Sequence, residues 1–156
     1  MKKLLLAALL LLTGSAHAIT NNMMMVRMHI KAEVAIEYLK SALEQRGYAI
    51  AHTQKCDGGM HSFGYTTDFY RSIFFGKGTE AREIAKAHPD FVSYIPLKMT
   101  VVAERDETVM SIVNPHAFDR FYSDDPMMLQ HFKNWHHDIL SIFSDLRAAE
   151  RAHKLQ

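Results

Sequence analysis

Two stretches of alternating apolar residues around a charged turn constrain this chain most. Leu97 to Glu104 and Thr108 to Asn114 flank Arg105-Asp106-Glu107, which predicts a β-hairpin ended by Asn114-Pro115. The same period of two recurs upstream. Met23 to Ile30 puts Met24, Val26, Met28 and Ile30 on one face, with Arg27 and His29 on the other. Tyr48 to Gln54 puts Tyr48, Ile50 and His52 together. Phe69 to Phe75 is a further strand, closed by Gly76-Lys77-Gly78.

Between these strands the period changes to that of a helix. Ala32 to Arg46 carries Ala35, Tyr38, Leu39, Ala42 and Leu43 at 3–4 spacing, and Gly47 stands where a left-handed cap is wanted. Thr79 is the expected N-cap of a second helix, which stops near His88 because Pro89 disfavours helical geometry before it. Asp125-Pro126 opens a long last helix striped by Met128, Phe132, Trp135, Ile139, Ile142 and Leu146. Residues 55–68, with Gly58, Gly59 and Gly64, read as a long loop. Antiparallel strands with segregated helices predict an α+β two-layer sandwich of about five strands, helices on one face and a long C-terminal helix. On the other face Phe74, Val102, Val109 and Val113 alternate outward. An apolar patch there would mark a partner surface, and a homodimer is the economical expectation.

The N-terminus predicts an address. Lys2 and Lys3, the apolar run Leu4 to Leu12 and the Ala16-His17-Ala18 step form a secretory leader, cleaved after Ala18. Nine apolar residues are too few to span a bilayer, and no later stretch is apolar enough. The expectation is a bacterial periplasmic or secreted protein with one domain over residues 19–156. The whole chain carries a charge of +1; without Lys2 and Lys3 the balance is 16 basic to 17 acidic residues. Near neutrality excludes the broad basic footprint of a nucleic-acid binder.

Ten histidines, ten methionines and one cysteine direct attention to soft ligands. His52, Cys56, Met60 and His61 bring imidazole, thiolate and thioether together in one segment, a donor set suited to copper(I) or zinc. Their spacing matches no standard zinc or blue-copper pattern, and a buried, inert Cys56 is the plain alternative. Non-covalent haem needs only one axial His or Met in an apolar pocket, with His52 the candidate; covalent c-type haem is excluded because Cys-x-x-Cys-His is absent. His131, His136 and His137 surround Trp135 but diverge around a helix, so partial burial beside the Trp135 stripe is expected of them. Gly76-Lys77-Gly78-Thr79 lacks Walker spacing and reads as turn punctuation.

One run of residues carries a family likeness. It comprises Phe69-Tyr70-Arg71-Ser72-Ile73-Phe74-Phe75-Gly76, a helix ending His88-Pro89-Asp90, the step Ile95-Pro96-Leu97-Lys98 into a strand, and Glu107-Thr108-Val109-Met110-Ser111-Ile112-Val113-Asn114-Pro115. This resembles the domain-of-unknown-function family numbered 302, over most of residues 24–150. The resemblance implies a two-layer α+β domain similar to the TATA-box-binding-protein-like fold, and a dimer; it implies no activity. The family's Pro-Cys pair is Pro96-Leu97 here, so no role of that cysteine carries over.

The functional expectation is a periplasmic binding domain that holds a soft metal or haem through residues 52–61. Two alternatives stand beside it: a dimeric interaction module without cofactor, and a thiol-dependent enzyme using Cys56.

Overall fold

A computed structural model describes residues 22–154, so the expected leader over residues 1–18 lies outside the described residues. Within them, β1 (Met23–Met28) buries Met24, Val26 and Met28 and exposes the residues between, the alternation that its sequence requires. The chain then crosses the molecule in α1 (Ala32–Glu44), whose buried stripe is Ala32, Ala35, Ile36, Leu39, Ala42 and Leu43. Gly47 ends this helix at φ +77°, and the N–H groups of Gly47 and Tyr48 donate back to the carbonyls of Glu44 and Leu43.

The crossover delivers β2 (Ala49–Lys55) to the far edge of the sheet. From there β3 (Tyr70–Gly76), β4 (Leu97–Glu104) and β5 (Glu107–Val113) return strand by strand to β1. The order is β1-β5-β4-β3-β2, antiparallel throughout. The expected hairpin is present, tightened to Arg105-Asp106 with Glu104 opposite Glu107 and Arg105 at φ 59°.

Helices cover one face of the sheet. In α4 (Pro126–Lys154), Asp125 accepts a hydrogen bond from the Met128 N–H at 3.0 Å as N-cap. Met128, Phe132, Trp135, Ile139, Ile142 and Leu146 are all buried, as their spacing predicts. Two short 3-10 helices, Pro89–Tyr94 and Pro115–Phe121, close one end of the sheet, and Phe91 from the first packs against Phe118, Phe132 and Trp135.

Three local expectations need correction. The segment 55–68 is not all loop, since α2 (Asp57–His61) forms one short turn of helix, anchored by an ion pair between Asp57 and Arg71. The next helix, α3 (Gly78–Ala87), starts before Thr79. Lys77 occupies the cap position with extended backbone and no side-chain cap, its ammonium being drawn to Asp138 instead. β2 carries a bulge at Ala51, between Ile50 and His52. The extra residue reverses the alternation, so Ile50 pairs with core-facing Phe75 while His52 pairs with Phe74 on the opposite face. His52 therefore does not share a face with Tyr48 and Ile50.

The face away from the helices lies open among the described residues. Val102 stands opposite Val109 and Met23 opposite Val113, so the outward apolar residues do share one surface. Met23, Met25 and Val113 are 43%, 50% and 47% exposed. At the hairpin end, Arg27 bridges Glu104 at 2.7 Å and Glu107 at 3.1 Å.

Candidate functional site

The 52–61 segment does not assemble as one cluster. His52 lies exposed beside the Phe74 ring, 6.1 Å between centroids. Four residues of extended strand carry the backbone roughly 13 Å from His52 to Cys56, too far for two ligands of one ion without a fold in the strand. The Cys56 thiol is half-buried, its Sγ 3.7 Å from both Ser72 Oγ and the Gln54 carbonyl. Met60 and His61 sit on α2, His61 exposed. Among the described residues, no three His, Cys, Asp or Glu side chains come together as a metal ion requires.

The second histidine group also separates. His131 stacks on Trp135 at 5.7 Å, and His137 points to solvent. His136 meets His116 of the second 3-10 helix, with rings 4.6 Å apart, and bonds the Asn114 side chain at 2.9 Å. Burial first, and then the neighbouring His116 charge, hold the His136 imidazole below its ordinary value of 6.5.

A largely apolar space lies elsewhere. α1 packs against α4 and reaches β2 and β4, and α4 reaches β1, yet β2 is exposed on nearly every residue. Between β2, α3 and the first 3-10 helix a cleft of about 460 Å³ remains. Small side chains create it. Ala49 and Ala51 line the strand wall and Ala81 and Ala85 the helix wall, where larger residues would fill the gap. Val92, Ile95, Pro96 and Leu97 complete an apolar lining, and Trp135 forms part of the wall.

A web of polar groups fixes one side. The Tyr48 hydroxyl donates to Asp138 at 2.8 Å, and the Trp135 indole N–H donates to Glu80 at 2.9 Å. Lys77 Nζ stands 3.3 Å from Asp138, 3.8 Å from Glu80 and 4.4 Å above the Tyr48 ring. Burial, reinforced by the Asp138 carboxylate, pushes the Tyr48 phenol far above its usual range, so it stays a donor. This web ties α4 to the β3–α3 junction and holds the cleft open. Lys77, Glu80 and Arg82 are its charged lining residues.

A second cavity of about 360 Å³ lies across the Pro96–Leu97 segment, walled by Phe91, Tyr94, Phe118 and Val113. Neither space is lined by a histidine, cysteine or methionine. A haem in either would find no side chain of the kind expected of His52. Sequence reasoning missed both spaces. It placed Trp135 in the core and read Gly76-Lys77-Gly78 as a turn; the available signal was Ala81 and Ala85, four apart on one helix.

Three comparisons bear on kinship. The family model described as Domain of unknown function DUF302 matches residues 24–145. Among solved structures, the uncharacterized conserved protein DUF302 from Bacillus stearothermophilus superposes with a TM-score of 0.69 at 14% identity, covering 81% of this chain and 98% of that one. At that identity the likeness speaks for the fold. No curated protein matches the sequence. With a match that spans the sheet, the crossover and the first two-thirds of the last helix, the chain belongs to the family of domains of unknown function numbered 302.

Proposed function

We propose that this domain binds a small, largely apolar molecule in the cleft between α3 and the β2 edge. One observation carries the reading: an apolar space of about 460 Å³, with few charged groups in its lining, has the size and character of a small-molecule site. The nearby polar groups are engaged with one another, Tyr48 with Asp138 and Trp135 with Glu80. That engagement supports a binding role over a catalytic one, because a general acid or base must be available to substrate.

Trp135 gives a direct test, because it is the one tryptophan in the sequence and lines the cleft. Titration with an apolar probe such as 1-naphthol should change Trp135 emission saturably. Ala81→Leu with Ala85→Leu should abolish the change while the protein stays folded. An unsaturable response, or one that the filled variant retains, rejects the reading.

The second reading is a homodimer through the open sheet face, favoured by the adjacent exposed side chains of Met23, Met25 and Val113. It is compatible with the first, since Met23, Met25 and Val113 do not line that cleft. A periplasmic setting belongs to the proposal and rests on the leader sequence alone. N-terminal sequencing should find Ile19 first, and mature protein that begins at Met1 removes that part.

A further inference from the structure

The two cavities are neighbours. Pro96, Leu97 and Trp135 line both of them, so one short stretch of chain partitions a longer apolar trough around the end of the sheet. From this geometry we infer that the ligand is an elongated amphipath, an alkyl or acyl chain with an anionic head. The chain lies in the α3 cleft and passes Pro96–Leu97 into the second cavity, and the head is held at Lys98. The inference rests on the proposed binding role of the cleft and names the class of molecule it takes.

Charge decides the direction. In the α3 cleft, Lys77 stands between Asp138 and Glu80, and the Glu80 carboxylate opposes an anionic head beside Arg82. In the second cavity, Lys98 is the sole charged lining residue, and no carboxylate shares the wall. Lys98 is exposed and makes no ion pair with any described residue. An apolar tail therefore finds its best surroundings in the first space and an anion in the second. Tyr94, 54% exposed on the same wall, offers a ring against which the chain can emerge.

The test is a series of straight-chain carboxylates from hexanoate to tetradecanoate, kept below micellar concentrations and followed by Trp135 emission. Affinity should rise about twofold to fourfold per added methylene while the chain still gains apolar contact. Lys98→Gln should weaken dodecanoate about tenfold and leave 1-dodecanol unchanged, whereas Arg82→Gln, at the tail end of the trough, should weaken dodecanoate no more than 1-dodecanol. Ser93→Phe, which narrows the second cavity from an exposed position, should weaken dodecanoate and leave the 1-naphthol response of the α3 cleft unchanged. Affinity that stops rising at hexanoate and ignores both Lys98→Gln and Ser93→Phe overturns the elongated ligand but leaves the α3 cleft as a binding site. Sensitivity to Arg82→Gln in place of Lys98→Gln overturns the assigned direction. No saturable Trp135 response to any probe, 1-naphthol included, overturns the binding role itself.

Discussion

Trp135 serves packing and site together. It is 3% exposed, stacks with Phe91 and His131, and reaches polar company only through the Glu80 carboxylate. Glu80→Ala would leave a nearly buried indole N–H without its acceptor, and we expect a loss of about 1–3 kcal/mol in urea unfolding. Glu80→Gln keeps an acceptor and should lose much less; equal losses would show that the hydrogen bond is not what matters. His136 gives a pH prediction. Its folded pKa lies below the 6.5 of the free side chain, so between those values the unfolded chain binds the extra proton. The stability is present above pH 6.5 and is lost as pH falls from there through the lower folded value. His136→Asn removes the titration, and its urea midpoint should fall less between pH 7 and pH 5 than that of the wild type. Identical slopes would contradict this.

Elements whose shape follows from one-sided burial were open to sequence reasoning. α1 is an example down to its end: Gly47 adopts φ +77° with no atom close to where a Cβ would stand. Gly47→Ala therefore meets only its own backbone, and we expect a cost of about 1–2 kcal/mol by thermal or urea unfolding, with Gly47→Asn costing less. A neutral Gly47→Ala would mean that the cap relaxes. The hairpin, β1 and the α4 stripe were legible for the same reason. What escaped lacked a period. The bulge at Ala51 is a single extra residue, invisible to alternation yet enough to turn His52 to the other face. The 3-10 helices are too short for a repeating stripe, although they bring Phe91 and Phe118 into the core region. α2 forms despite Gly58-Gly59, against intrinsic preference. The cleft is an absence of bulk, assembled by Ala49, Ala81 and Trp135 from distant parts of the chain, whereas residues 52–61 were grouped by closeness in sequence that extended strand does not convert into closeness in space.

At the scale of the whole molecule, the sheet has one face under helices and one that is not covered by any described element. The uncovered face is not uniform. Its β1 side carries Met23 and Met25, with Val113 opposite Met23, while Arg27, Glu104 and Glu107 form a charged border at the hairpin end. Apolar side chains about half exposed side by side favour removal from water, and a two-fold axis lets the same patch cover itself on a second copy. Sedimentation equilibrium at micromolar concentration should therefore give the mass of a dimer. The choice of disrupting variant follows from burial. Val109 is only 9% exposed between Val102 and Arg27, so a charge there would destabilise the monomer and confuse folding with assembly. Val113 also lines the second cavity, which would mix assembly with ligand binding. Met23 and Met25 lie on an edge strand, stay hydrated in the monomer and line neither cavity. Met23→Glu with Met25→Glu should shift the mass to that of a monomer, leave the circular dichroism spectrum unchanged and preserve Trp135 titrations. A wild-type protein that sediments as a monomer, or a double variant that stays dimeric, removes the open face as the site of assembly.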